Sequence, residues 1–342
     1  MKPDQLLYTW VSADMPENHT DLISHELRTP LTAIRGALGL ILSGKLGDTN
    51  DRIRRLLQIA CQNTERLVRL THAIEGDPNL LDAVLDAVDL EQLRLANELH
   101  GAIIRQDLYL KFQPIFSLET MEIIGFEALC RWYNPRVGEV SPDVFIPLAE
   151  SSAAINRLGH WVLQEACGQL SKWLAHTPLF VSVNVAPSQI LDAVFVAQVR
   201  DILDSTGIPP QFLHLEITES VFSRNFDAAL RILYQLKDLG VKLYIDDFGV
   251  GYSCLSRLVN FPIDAIKIDR SFIHQANWNV IETIILLAQK QKLEIIAEGA
   301  ETIWQVDQLR SLGCRKGQGY YFARPMDIAD ATKMLTENLA IA

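Results

Sequence analysis

Apolar positions recur with two different periods along this chain. Between residues 17 and 75 the spacing is three and four: Leu22, Ile23, Leu27, Leu31, Ile34, Leu38, Ile41 and Leu42, then Ile53, Leu56, Leu57, Ala60, Leu67, Val68 and Ile74. That spacing lays one buried stripe along each of two helices. Gly44 and Gly47 break the run, and Asp48 or Thr49 can cap the second helix. A hairpin of two helices is too small to bury both stripes alone. The pattern therefore predicts pairing with a second copy, giving a four-helix bundle in a homodimer.

Gly76-Asp77-Pro78-Asn79 is the clearest breaker in the chain. Beyond it a helix is predicted over 89–104, and then short apolar strands alternate with helix-length segments. The strands are expected near 109–116, 122–131, 179–185, 212–217, 242–246, 264–268, 293–297 and 315–321. Helices are expected between most of them, for instance over 157–175, 225–239, 277–291 and 327–340. The turn near Leu118–Met121 is too short for a crossover helix, so the first two strands should be antiparallel. The other strands are followed by helical stretches. About eight strands in some 250 residues suit an α/β chain closed into a TIM-like (β/α)8 barrel better than a doubly wound sheet. The expected organisation is a tail over 1–16, the hairpin over 17–75, a linker over 76–90 and the barrel over 91–342.

Charge sharpens this division. Residues 1–75 balance nine Lys and Arg against nine Asp and Glu, so the net charge of −11 falls on the rest. Such acidity argues against a nucleic-acid polymer as partner, since that needs a basic footprint. Any phosphate ester bound there requires divalent cations to reconcile the charges. The five cysteines are scattered and never spaced as Cys-x-x-Cys, which argues for a reducing, cytoplasmic setting and against zinc. The chain holds no secretory pattern and no apolar run long enough for a membrane span, so no membrane partner is expected.

Carboxylates and amides fall where the predicted strands end: Glu127, Asn184, Glu216, Asp246 with Asp247, Glu298 and Gln318, with Lys267 among them. Side chains at the ends of parallel strands converge on one rim of a barrel. An oxygen-rich set of this kind suits Mg2+ or Mn2+. Two such ions are the common machinery for attack of a water on a phosphodiester. Lys267 lies in the apolar run AIKID, facing opposite to Ile266 and Ile268, and on an inner face it needs an acidic partner. Glu298 reads either as a metal ligand or as the base for the water.

The segment from about 95 to 340 resembles an EAL domain, the phosphodiesterase that cleaves cyclic di-GMP. Glu127-Ala128-Leu129 opens the pattern that runs to Arg131-Trp132, and FQPI, VNV, LEITES, DDFGVGYS, KIDRSF and AEGAE follow the family's order. The resemblance implies a barrel with one antiparallel strand, magnesium or manganese dependence with two ions, and hydrolysis to linear pGpG. Carried over residue by residue, it implies Glu127, Asn184, Glu216, Asp246, Asp247 and Glu298 as metal ligands, and Lys267 with Glu298 at the water. Gln113, Arg131 and Gln318 would lie along the dinucleotide, and Glu219 would anchor the loop Asp247–Ser253. Val250, Cys254 and Ala186 depart from the usual residues, and none of them removes a ligand. An inactive receptor for the dinucleotide is the other reading of such a barrel, but the full ligand set favours catalysis.

DLISHELRTPLTAIRG resembles the phosphoacceptor box of sensor histidine kinases, and NTERLVRL resembles the second helix of the same dimerisation module. Too few residues separate the hairpin from the barrel for an ATP-binding domain. Two readings of His25 stand side by side: a phosphoacceptor served by a partner histidine kinase or receiver domain, making the chain a phosphorelay adaptor, or a relic in a dimer clamp.

Overall fold

The computed structural model describes residues 87–105, 107–152, 154–221, 226–249 and 261–339. The predicted hairpin with His25, and the loop residues Val250 and Cys254, lie outside them. A helix, α1 (Ala87–Arg105), begins inside the stretch expected as a linker, and residues Leu95–Ala342 form one compact unit.

Eight strands close a barrel: β1 (Leu108–Ser117), β2 (Ile123–Asn134), β4 (Phe180–Val185), β5 (Leu213–Thr218), β6 (Lys242–Phe248), β7 (Ala265–Ile268), β8 (Glu294–Ala297) and β9 (Lys316–Gly317). A ninth, β3 (Gly138–Val140), is added to the end of β2. The strands from β2 through β9 pair in parallel in chain order, leaving β3 aside. β1 runs antiparallel to both β2 and β9 and closes the ring. The antiparallel first pair agrees with the short turn read in the sequence. Helices α2 (Pro142–Ser151), α3 (Ile155–Leu174), α4 (Pro187–Ile190), α5 (Phe195–Thr206), α6 (Phe226–Leu239), α7 (Arg270–His274), α8 (Trp278–Gln291), α9 (Ile303–Ser311) and α10 (Ile328–Leu339) connect or follow the strands.

Local chemistry sets several boundaries. Ser141 accepts a hydrogen bond from the Asp143 N–H and Pro142 occupies the first turn, which starts α2. Gly207, at φ 67°, ends α5 in the left-handed conformation. Thr302 and Gln305 form a reciprocal capping box that opens α9 soon after β8.

Two cores result from the alternation along each strand. Outward residues pack under the helices, as where Phe112, Phe126 and Trp173 meet at ring separations of 4.8 to 6.3 Å. Inward residues fill the barrel in layers. The lower layer is Ile115, Phe180, Tyr244, Ala265 and Ile296. Gly125 leaves room for Phe180, since a Cβ there would stand 2.7 Å from its ring. Two residues further along each strand the inward positions turn polar. The strand expected over 315–321 is only two residues long. Gly319 there presses on the backbone of Ala300, where a Cβ would meet the carbonyl oxygen at 2.2 Å, and the chain turns away.

Candidate active site

Glu127, Glu216, Asp246 and Lys267 stand two positions above the lower layer on β2, β5, β6 and β7, and Glu298 occupies the corresponding place just past β8. Parallel pairing in register brings them to one height. Their meeting point is the ammonium of Lys267, only 1 % exposed. Its Nζ lies 2.5 Å from Glu298 Oε1, 2.7 Å from Glu216 Oε2, 3.3 Å from Asp246 Oδ1 and 3.5 Å from Glu127 Oε2. One cation therefore faces four carboxylates.

Amides complete the cluster. Asn184, at the end of β4, donates to Glu127 Oε1 at 2.7 Å. Gln318, just past β9, donates to Glu127 Oε2 at 2.7 Å and to Glu298 Oε1 at 3.1 Å. Its position follows from the turn after β9, where the Gln318 N–H binds the Ala297 carbonyl at 2.9 Å and the Ala300 N–H binds the Gln318 carbonyl at 3.2 Å. Gly319 permits this close approach.

Asp247 is placed differently from Asp246. The pairing of β6 with β7 slips by one residue between Ile245 and Phe248, and Asp247 has φ 52°. This bulge leaves Asp246 buried inside the barrel and sets Asp247 exposed at the rim, bordering the mouth. There its carboxylate is close enough to that of Asp269, the residue that caps α7, for the two charges to repel. The aspartate side chain tolerates the left-handed backbone that most residues avoid.

Electrostatics follow from this crowding. Burial, with Asp246 and Glu127 nearby, pushes the Glu298 carboxyl up to about 8, although Lys267 opposes the shift. Burial and the charge of Glu127 raise Glu216 well above the ordinary carboxyl range. At Glu127 burial works the same way, but Lys267 and the Gln318 and Asn184 amides outweigh it and hold the group below its usual value. Partial burial and the adjacent Asp246 and Asp269 bring Asp247 up to about 6. Lys267 loses solvation, yet its carboxylate neighbours keep it firmly charged.

Among the described residues no three acidic, histidine or cysteine side chains form a ready ligand cage, and the ammonium of Lys267 stands where the carboxylates converge. The donor set nonetheless fits divalent cations. It is all oxygen, its negative charge exceeds its positive, and Glu216 Oε1, Asp246 Oδ1 and Gln318 Oε1 are buried without a hydrogen bond. Oxygen-rich sets with unspent lone pairs are what magnesium and manganese take.

Two cavities meet at this rim, sharing Leu129 and Asp247. The smaller, about 270 Å³, is lined by Gln113, Glu127, Asp269, Glu298, Gln318 and Tyr320, among others. The larger, about 750 Å³, runs past Arg131, Asn184 and Asp246 toward α2 and α3. Gln113 is buried and donates to the Ala323 carbonyl at 3.3 Å. Arg131 donates to the Cys130 carbonyl at 2.8 Å and stands 4.0 Å from Glu139, and it lines the larger cavity together with Asn184, Asp246 and Asp247. Glu219 accepts from the Gly249 N–H at 3.1 Å, at the start of the loop that follows β6. Asp269, Glu301 and Tyr320 also line the smaller cavity and were not singled out from the sequence. Asp269 ends β7 just as the other acids end theirs, so the strand-end rule could have found it.

Residues 96–325 match the EAL domain family, and residues 19–75 match the His Kinase A (phospho-acceptor) domain family. The cyclic di-GMP phosphodiesterase NbdA of Pseudomonas aeruginosa is 42% identical over 252 residues, covering 72% of this chain and 32% of that protein. The bifunctional diguanylate cyclase/cyclic di-GMP phosphodiesterase MucR of the same organism is 40% identical over 252 residues, covering 72% and 37%. This chain thus spans about a third of the length of these relatives. The solved structure described as the PaMucR phosphodiesterase in complex with c-di-GMP superposes with a TM-score of 0.67 at 39% identity, over 70% of this chain and 99% of that one. With two thirds of its length matched, the chain belongs to the EAL domain family.

Proposed function

We propose that the barrel hydrolyses cyclic di-GMP to linear 5'-pGpG, using Mg2+ or Mn2+, two ions to a barrel. The observation that carries this reading is the convergence of Glu127, Glu216, Asp246 and Glu298 on one buried point, in a chain similar to proteins named for that activity. The net change is the addition of one water across one of the two phosphodiester bonds. Its oxygen ends on phosphorus, and its proton balances the released 3'-oxygen. Bound divalent ions supply positive charge that acidifies a water and neutralises the phosphate. Glu127, Asn184, Glu216, Asp246, Asp247 and Glu298 are the groups that would hold them.

The other residues act on substrate and proton. Lys267 lies within hydrogen-bonding distance of Glu216 and Glu298 and can steady a water between them. Glu298, its affinity for a proton raised by its surroundings, is placed to take one. Arg131 offers a fork of donors to a phosphate in the larger cavity, and Gln113 and Gln318 border the smaller one.

Residues 19–75 support a homodimer built on the paired hairpin, which would regulate the barrel. No described helix is long and apolar enough to cross a membrane, and we place the reaction in the cytoplasm. Incubating the purified chain with cyclic di-GMP and Mg2+ or Mn2+ should yield pGpG on chromatography, and chelator should stop it. Binding without product under both metals would make the barrel a receptor instead. Phosphohistidine at His25 after incubation with partner kinases, read by mass spectrometry at alkaline pH, would favour the phosphoacceptor role over the clamp.

A further inference from the structure

The ammonium of Lys267 sits where a cation would be drawn by the same acids. Three carboxylates from strands and that of Glu298 just past β8 surround it within 3.5 Å, and among the described residues no other cationic side chain forms an ion pair with them. Without that charge, Glu127 and Glu216 would face each other buried and uncompensated, and like charges in a low-dielectric interior repel strongly. Glu216 divides its oxygens: Oε2 bonds the ammonium and Oε1 has no hydrogen bond. An incoming ion attaching to Oε1 therefore meets a positive charge held across the same carboxylate.

We propose that Lys267 is the built-in counter-cation of the barrel mouth and competes with divalent metal for its carboxylates. The ammonium keeps the acids together before loading and weakens metal binding once the ion arrives. This inference rests on reading the site as a magnesium or manganese centre. It makes an unusual demand: removing a polar side chain from the cluster should tighten metal binding rather than loosen it.

Manganese alone, titrated calorimetrically into the full chain, tests the idea. Lys267→Met should bind at least about tenfold tighter than the wild type, and Lys267→Arg, which keeps the charge, should not gain affinity. In chelator the thermal midpoint of Lys267→Met should lie below that of the wild type, and saturating manganese should raise it by a larger increment. Equal or weaker binding to Lys267→Met, with wild-type binding intact, would overturn the competition alone. No binding to either chain would overturn it together with the metal reading. If Lys267→Met is unfolded in chelator, recovery of a cooperative transition on adding manganese supports the inference, and failure to recover refutes it.

Discussion

The two ends of this barrel treat buried and half-buried charge in opposite ways. Near the strand starts, Asp264 is held by Lys237 at 2.7 Å, by Lys242 at 2.9 Å and by the Leu243 N–H at 2.9 Å. Two cations thus serve one carboxylate. His214 nearby stacks on Phe180 at 4.0 Å, and burial pushes its pKa down to about 3, leaving the ring neutral. At the strand ends the ratio inverts, with one ammonium for four acids and several oxygens unspent. One sheet thus has a floor whose carboxylate is fully paired with cations and a mouth whose carboxylates outnumber their cation. On the reading proposed above, the floor serves stability and the mouth trades stability for ligand capacity.

The largest expected effect separates the two ends directly. Glu127→Ala or Glu298→Ala should lower kcat by about 10³-fold or more, while the thermal midpoint of Glu298→Ala in chelator holds or rises because like charges are relieved. Product chromatography beside a melting curve reads both. A concerted loss of fold and rate would erase the distinction between floor and mouth.

Gly319→Ala probes the mouth without touching an acid. Its Cβ would collide with Ala300 backbone atoms at 2.2 to 2.8 Å and displace Gln318 from Glu127. A misplacement of this size should cost about 10²-fold in kcat/KM. Wild-type kinetics for this variant would show that the amide is not needed.

At the floor, Asp264→Asn should leave kcat unchanged while lowering stability by about 1–2 kcal/mol, measured by denaturant unfolding. The pH response of metal-free protein should then distinguish the two ends by sign. Lys237 and the Leu243 N–H hold Asp264 below its ordinary pKa against the effect of burial, so its contribution is lost as pH falls through the folded value. Asp247 and Glu298 are raised to about 6 and about 8, so their protonated forms favour the folded chain at low pH. That stability drains away as pH climbs from the ordinary carboxyl range to about 8. In chelator the melting temperature should fall over this interval, and saturating manganese should flatten the fall. A flat profile in chelator would mean that the carboxylates of the mouth are not held above their ordinary pKa.

The smallest effect belongs to Gly159→Ala on α3. A Cβ there would overlap the Gln189 amide, which accepts from the Ala186 N–H two residues after Asn184. The Gln189 side chain can swing aside, so a rise in KM of about threefold is expected from steady-state kinetics, with little change in kcat.

The barrel was legible because alternation fixes which residues face inward, and the acids lie where apolar runs stop. Lys267 could be read as inward from its two isoleucine neighbours alone. The bulge at Asp246 and Asp247 was not legible, since it depends on a left-handed residue inside β6 and a slipped register with β7. The shortness of β9 escaped for a similar reason, because the contact of Gly319 with Ala300 joins residues from different loops. Asp269 follows directly on the strand expected over 264–268 and observed to stop at Ile268, so it lay within reach of the strand-end rule. Local pattern gave each strand its face, while tertiary contacts decided where the strands end.

The cylinder is sealed by its first strand pairing with its last, Ser117 against Lys316 and Phe116 against Gly317. These partners are separated by nearly the whole domain, so ring closure is a late event in synthesis. A growing chain on the ribosome already carries Glu127 and Asp246 long before it can close around them. Closure around the acid cluster waits for Lys316 and Gly317, and a chain truncated before Lys316 would be left an open sheet with its chemistry unassembled.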